Sequence, residues 1–326
     1  MITLTAQAQT WPLAKAFGIS RGRKTDAHVV VVELHDGQHS GCGECVPYAR
    51  YGETIDSVLQ EISTVRSDIE NGANQQNLLD LLPPGAARNA IDCALWDLEA
   101  KQKAQPVWRL LNLPEPKPVT TAYTLGLDTP DAMRKSAQEN AHRPLLKVKL
   151  GSEGDSARLE AIRQGAPTSR LIVDANEGWQ ADDAINLAAD LQRYGVDLIE
   201  QPLPASADDA LSTINSPIPF CADESCHTST DLPRLIPLYQ AVNIKLDKTG
   251  GLTEAVQLAK AAKAAGLSIM IGCMVGTSLG MAPALLLASF ADYVDLDGPL
   301  LLAKDRTPAL TYKGSTLMPC TPGVWG

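Results

Sequence analysis

From residue 120 onward the sequence alternates short apolar runs with helical stretches, and this rhythm constrains the fold more than any other feature. The runs are TTAYTL (120–125), LLKVKL (145–150), RLIVDA (170–175), DLIEQ (197–201), PFCAD (219–223), AVNIKL (241–246), LSIMIG (267–272) and DYVDLD (292–297). Alanine-rich amphipathic stretches such as LTEAVQLAKAAKAAG (252–266) lie between them. Continuous apolar strands alternating with helices need a parallel sheet covered on both faces. Eight such units predict an α/β fold closed as a (β/α)8-type, TIM-like barrel rather than an open doubly wound sheet. No glycine-rich fingerprint follows the first run, which argues against a dinucleotide site. One irregularity is that no long amphipathic helix follows the eighth strand.

The first third reads differently. Residues 2–9 (ITLTAQAQ) alternate like an antiparallel strand, and 26–34 carry the run HVVVVEL, followed by Asp36-Gly37 as a hairpin turn. Helical patterns follow at about 54–70 and 85–103. In the second, Ala90, Ala94, Leu95 and Leu98 share a face, with Gly85 and Pro106 as brackets. The stretch Pro114-Glu115-Pro116-Lys117-Pro118 then breaks the pattern and marks a boundary. The expected organisation is an α+β capping domain over 1–115 and a barrel over 116–304. A tail from about 305 to 326 is expected to return onto the cap.

Charge and cysteine content narrow the function. With 28 basic and 38 acidic residues the net charge is −10, unsuited to a nucleic-acid backbone. No apolar run has the length of a bilayer span, and residues 1–20 lack a charged head followed by an apolar block. Seven cysteines, an odd number at low density, predict reduced thiols and a cytoplasmic protein. The expected partner is a small molecule, with neither nucleic acid nor membrane, and the oligomeric state, homo-oligomer included, stays open.

Active sites of such barrels lie at the C-terminal ends of the strands. Five consecutive strands here end in charges: Lys147 and Lys149, then Asp174, Glu200, Asp223 and Lys245. The three carboxylates are spaced about one strand–helix unit apart, so they converge on one rim. Any one of them alone would serve as a helix cap. Three together repel unless a cation neutralises them, and an oxygen-only, incompletely caged set suits Mg²⁺, one per subunit. Lys147-Val148-Lys149 puts both lysines on one face of a strand. Two ammonium groups so placed are expected to depress each other's basicity and favour a neutral amine. Lys245 approaches from the other side of the ligand. Bases on two sides of a metal suit proton transfer at a carbon next to a carboxylate, with the metal stabilising the enediolate oxygens.

The runs LLKVKL, VDANEGW, IEQPLP, ADES, NIKLDKTGG, GCMVGTS and DLDGP, with PYARYGET and GAARNAIDCALWDLEA, resemble the enolase superfamily, muconate-cycloisomerase subgroup. The similarity covers nearly the whole chain and is greatest to the dipeptide epimerases that act on L-Ala-D/L-Glu. Enolase-superfamily sites use a Lys or His base with Mg²⁺ stabilising an enediolate. The resemblance implies an N-terminal cap over a modified barrel that lacks its last full helix. It implies metal on Asp174, Glu200 and Asp223, and Lys149 and Lys245 as the acid/base pair, with Lys147 tuning its neighbour. The implied reaction is an isomerase's, epimerisation of L-Ala-D-Glu to L-Ala-L-Glu by two-base 1,1-proton transfer, as in murein peptide recycling.

Substrate contacts follow from the same resemblance. Asp295 and Asp297, brought together by period two at the end of the last strand, match the site for the substrate's free ammonium group. Thr124 matches a substrate-contacting threonine. In the cap loop Arg21-Gly22-Arg23-Lys24, relatives specific for Ala-Glu use an arginine where this chain has Lys24, with Arg23 beside it. Lysine lacks arginine's bidentate fork. Gly276 stands where many relatives carry Glu. The competing readings on the same site are o-succinylbenzoate synthase, muconate cycloisomerase and N-acylamino-acid racemase, and, in a different class, a non-catalytic metal-dependent binding protein. Asp-x-Asp argues against the two lyases, whose substrates carry no ammonium. Two intact lysines argue against pure binding. Cys42-x-x-Cys45 has redox spacing but lies in a strand-like segment, His35 and His39 flank a turn, and Cys226-His227 are neighbours that rarely point together.

Overall fold

The computed structural model describes residues 2–20, 22–151 and 153–326. The chain begins with an antiparallel sheet of β1 (Thr3–Ile19), β2 (Gly22–His35) and β3 (Ser40–Cys45). The first two strands run well beyond the alternation read from sequence. Their register pairs Thr3 with His35 and continues to Ile19 with Gly22, slipping once between Pro12 and Phe17. Arg23 and Lys24, expected in a loop, therefore lie in β2 near the tip of a ribbon. Arg21 lies outside the described residues.

Val30, Val32 and Leu34 project from β2 onto the helix Ala86–Lys103, whose Ala90, Ala94, Leu95 and Leu98 are all buried, as their helical spacing requires. β3 lies directly on that helix. A methyl group at Gly43 would run into the Ala90 carbonyl, so only glycine lets strand and helix approach this closely. The helix Ile55–Thr64 starts at a reciprocal Thr54–Ser57 capping box and is followed by Arg66–Glu70. A further helix, Gln75–Leu81, carries no strong periodicity and escaped the sequence reading.

After the proline-rich stretch come β4 (Val119–Thr120) and then β5 (Tyr123–Leu125), β6 (Leu145–Lys149), β7 (Arg170–Asp174) and β8 (Val196–Glu200). They are followed by β9 (Phe220–Ala222), β10 (Ala241–Ile244), β11 (Ser268–Ile271) and β12 (Tyr293–Val294). β5 to β12 coincide with the eight apolar runs and form one parallel sheet in sequence order. The Ala122 amide donates to the Val294 carbonyl at 2.8 Å and joins the last strand to the first, which closes the barrel. Ala122, just before β5, and Leu145, Ile172, Leu198, Cys221, Ala241 and Met270, one from each of β6 to β11, form a separate buried cluster with Tyr293 packed against it. This apolar plug fills the barrel below the charged strand ends.

Helices cover the outside, but not at every turn. Among the described residues there is after β8 only the 3-10 segment Asp208–Thr213, after β9 only the 3-10 turn Ser229–Asp231 running into Leu232–Leu235, and after β12 only Gly298–Leu301. The missing last helix was anticipated; the other two short connections were not. Beyond them β13 (Tyr312–Lys313) pairs with β14 (Thr316–Leu317), and β14 with β4, as a small antiparallel sheet. The chain then reaches the cap helix, where the Trp325 indole donates to the Cys93 carbonyl at 3.1 Å. No described helix is long and apolar enough to cross a membrane.

Candidate active site

The parallel register decides which charges meet. Lys149 on β6 is level with Asp174 on β7, and Asp174 with Glu200 on β8, so all three emerge at one height. Asp223 follows β9 immediately and Lys245 follows β10. Asp174, Glu200 and Asp223 each offer an oxygen within 4.8 Å of the others, and all three are buried. The Lys149 ammonium lies 2.6 Å from Asp174 Oδ2, and the Lys245 ammonium 2.6 Å from Asp223 Oδ2. β6 and β10 are four strands apart in a closed barrel of eight, so these two lysines face each other across the carboxylates.

Lys147 behaves differently. Only 2% exposed, its ammonium sits 3.1 Å from Asp174, 2.6 Å from Glu200 and 2.9 Å from Asp295. Burial lowers its basicity, but Asp295, Glu200 and Asp174 more than reverse this and keep it charged well above the usual lysine range. The expected mutual depression of two strand lysines is therefore overturned for Lys147, because carboxylates outnumber ammonium groups around it. Burial and Lys147 both oppose charge on Lys245, yet Asp223 and Glu200 raise it too.

The carboxylates divide in the same way. Burial would raise Asp174, but Lys149 and Lys147 hold it well below the usual range. Asp223 is likewise held low against burial, by Lys245 and Lys248. Glu200 is pushed up to about 8 by burial and by Asp174. An acid that must take up a proton beside two ionised ones marks a cluster short of positive charge. Its all-oxygen donor set fits a hard divalent cation.

At the last strand the period-two argument is only partly right. β12 ends at Val294, although the Asp295 amide still donates to Ile271 O at 2.8 Å and extends the ladder. Asp297 immediately precedes the short helix Gly298–Leu301, without a side-chain bond to it, and instead accepts the Thr124 amide at 2.6 Å. Burial and Asp295 push Asp297 up to about 7. Asp295 is already paired with Lys147 through one oxygen, and its other oxygen has no hydrogen-bond partner among the described residues.

A cavity of about 510 Å³ lies between barrel and cap. Lys149, Asp223 and Lys245 reach it from the barrel, and Arg23, Lys24, Tyr48 and Tyr51 from the cap. Lys147, Asp174, Glu200, Asp295 and Asp297 lie beneath its walls, and Thr124 borders a second space of about 360 Å³ behind the ribbon. Arg23 lines both spaces and pairs with Asp128 at 3.2 Å, whereas the Lys24 ammonium lies over the Tyr48 ring, 5.3 Å from its centroid. Arg50 and Glu177 form a two-pronged ion pair at 2.6 and 2.7 Å that ties the cap to the loop after β7.

Several site residues escaped the sequence reading. Asn243 donates to Glu200 Oε1 at 2.7 Å; it lies two residues before Lys245, and the period-two rule applied backwards would have found it. Lys248, fully buried, lies 2.7 Å from Asp223 Oδ1 and one helical turn beyond Lys245. Gln201, with φ +35°, accepts the Asp223 and Ser225 amides and donates to Ser225 and Tyr239, which holds the Asp223 turn in place. A Cβ at Gly276 would stand 2.9 Å from Glu44 Oε1. That carboxylate accepts the Thr277 amide and pairs with Arg306 at 2.7 Å, so Glu44 occupies the space that a side chain at Gly276 would need. The Cys226 thiol is buried and pushed up to about 12, which removes it as a nucleophile.

Comparison with known proteins agrees with this architecture. Residues 132–323 match the family described as enolase C-terminal domain-like, and residues 1–112 the mandelate racemase/muconate lactonizing enzyme N-terminal domain. The chain is 48% identical over 314 residues to an L-Ala-D/L-Glu epimerase of Escherichia coli strain K12, covering 96% of this chain and 98% of that one. It is 49% identical over 300 residues to an N-acetyl-D-glutamate racemase of a Pseudoalteromonas species, covering 91% and 95%. Among solved structures, an enolase family member from Agrobacterium tumefaciens with homology to dipeptide epimerases, bound to sodium and L-Ala-L-Glu, superposes with a TM-score of 0.98. It is 49% identical to this chain and covers all of both.

Proposed function

Since the chain belongs to the enolase superfamily and is an isomerase, we propose that it is a Mg²⁺-dependent dipeptide epimerase that interconverts L-Ala-D-Glu and L-Ala-L-Glu. The observation that carries this reading is the pair Lys149 and Lys245, which line one cavity from opposite sides of a single carboxylate cluster. An α-carbon held between them loses its proton to one amine and regains it from the other on the far face. Asp174, Glu200 and Asp223 would hold the cation, which supplies the positive charge that paired enediolate oxygens need. Lys147 stays charged beneath the cavity and orients Asp174, Glu200 and Asp295. Burial of the whole cluster strengthens each of these interactions.

Substrate ends are read separately. Asp295, whose second oxygen has no partner among the described residues, and Asp297, pushed up beside it, suit the peptide's ammonium group, with the Thr124 amide fixing Asp297. Lys24 rather than Arg23 is placed to meet an acidic side chain, because Asp128 already engages Arg23. We read residues 1–115 as the cap that supplies this contact and 116–304 as the catalytic barrel, with the tail from about 305 fastening one to the other. A cytoplasmic role in recycling murein peptides accords with this substrate.

A second reading, N-acylglutamate racemase, is favoured by the Pseudoalteromonas relative. Such a substrate brings no ammonium group to Asp295 and Asp297. The deciding experiment compares L-Ala-L-Glu, N-acetyl-L-Ala-L-Glu and N-acetyl-L-Glu by α-proton exchange in D₂O. Dipeptide epimerisation predicts that acetylating Ala-Glu lowers kcat/KM by on the order of 1.5–3 kcal/mol, one charged hydrogen bond. Faster turnover of N-acetyl-L-Glu than of L-Ala-L-Glu would give the site to the racemase.

A further inference from the structure

We propose that the Tyr51 hydroxyl is a substrate-binding group that donates to a carboxylate oxygen on the C-terminal residue of the bound peptide. This rests on the dipeptide reading of the site. Tyr51 ends the 3-10 turn Ala49–Tyr51 within PYARYGET and lines the cavity that Lys149 and Lys245 share. Its oxygen is buried, yet it has no hydrogen-bond partner among the described residues. A buried O–H without an acceptor is destabilising, and buried tyrosines ordinarily find a partner.

The ring is not free to turn elsewhere. Tyr48 packs against it with centroids 5.4 Å apart, and His227 meets it near edge-on, at 4.7 Å and 73°. His227 is itself fixed, its amide donating to Asp231 Oδ2 at 2.8 Å and its Nε2 to the Glu224 carbonyl at 3.2 Å. The hydroxyl is thus held in position before any ligand arrives, which reduces the ordering cost of binding. Burial, then Asp223 and Glu224, push its ionisation far above the ordinary tyrosine range, so it acts as a neutral donor.

What it donates to follows from its surroundings. Its strongest charged neighbours are Asp223, Glu224 and Lys245, which puts it at the Lys245 side of the cavity, where the reacting residue lies in the two-base reading. The Lys24 ammonium caps the adjoining Tyr48 ring. A neutral O–H with no acceptor among the described residues, in a cavity that also holds the Lys245 ammonium, is complementary to an anionic oxygen of the ligand. The peptide's C-terminal residue carries two sources of one, its α-carboxylate and its acidic side chain.

Tyr51→Phe removes one oxygen and keeps both ring contacts. The measurements are calorimetric binding of the equilibrated L-Ala-D/L-Glu pair to Mg²⁺-loaded protein, kcat/KM for L-Ala-L-Glu and L-Ala-L-Met, and Mn²⁺ binding without peptide. Peptide affinity should fall 10- to 100-fold while Mn²⁺ affinity stays unchanged. A loss of kcat/KM confined to L-Ala-L-Glu assigns the bond to the side chain; an equal loss for both assigns it to the α-carboxylate. Binding and turnover within twofold of wild type for both peptides would overturn the proposal. A parallel loss of Mn²⁺ affinity would do the same, making Tyr51 a structural residue. If the wild-type protein binds neither dipeptide, the epimerase reading fails and this inference with it; equal binding by both proteins defeats this inference alone.

Discussion

Replacing Lys147 by methionine should leave the protein less stable without a cation and yet more avid for one. The Lys147 ammonium lies 2.6–3.1 Å from Glu200, Asp295 and Asp174 and is 2% exposed. At an effective dielectric constant of about 20, each such attraction is on the order of 5–6 kcal/mol, opposed by several kcal/mol for desolvating the ammonium. Deleting one partner of a buried ion pair costs about 3–5 kcal/mol, because uncompensated charge stays behind. We expect Lys147→Met to lose that amount in urea unfolding with a chelator present. The same deletion removes a positive charge beside Asp174 and Glu200, two of the three oxygen donors. Mn²⁺ should therefore bind the variant at least about tenfold more tightly, a difference near 1.4 kcal/mol. Epimerisation should fall for both epimers alike, since Lys147 does not line the cavity. The assay pairs urea titrations in chelator with calorimetric Mn²⁺ binding. Unchanged stability together with weaker Mn²⁺ binding would refute the reasoning, because it would mean that Lys147 neutralises none of these carboxylates.

Lys149→Ala and Lys245→Ala should each abolish net epimerisation while leaving exchange of one epimer's α-proton with solvent, a different epimer for each variant. Proton NMR in D₂O checks this, and interconversion at near wild-type rate by either variant counts against two bases. Asp92, fully buried between cap helix and barrel, accepts the Thr253 amide at 3.0 Å, and burial raises its carboxyl from 3.8 to about 6. Between those values the folded state keeps a proton that the unfolded state has lost, so stability falls as pH rises through this window and is level above it. Asp92→Asn should remove about 3 kcal/mol of that fall. Parallel stability–pH curves for the two proteins would show that Asp92 titrates normally.

Some of this protein was legible in the sequence, for a definite reason. The eight strands were visible because a parallel strand covered on both faces must be apolar throughout, and the runs from TTAYTL to DYVDLD are. Asp174, Glu200 and Asp223 stood out because a charge at the end of such a run has no place in a core. The ribbon of β1 and β2 was cut short because Pro12 and the slip between Pro12 and Phe17 interrupt its alternation, although Trp11, Leu13, Phe17 and Ile19 keep one half-buried face as far as the turn.

Periodicity gives the side of a strand on which a residue lies, but not its depth. It put Lys147 and Lys149 on one face and made them look alike. Register then carried Lys149 level with Asp174 at the cavity and left Lys147 below, among three carboxylates that keep it charged. Contacts between distant segments carry no local pattern at all. Glu44 beside Gly276, Arg50 on Glu177 and Tyr51 against His227 each join residues more than 120 positions apart. The sequence by itself determined the strands, their order and the chemistry at their ends, because these depend on near neighbours. Only the closed barrel and the cap resting on it decided which lysines face the substrate cavity, since that depends on where distant strands come level.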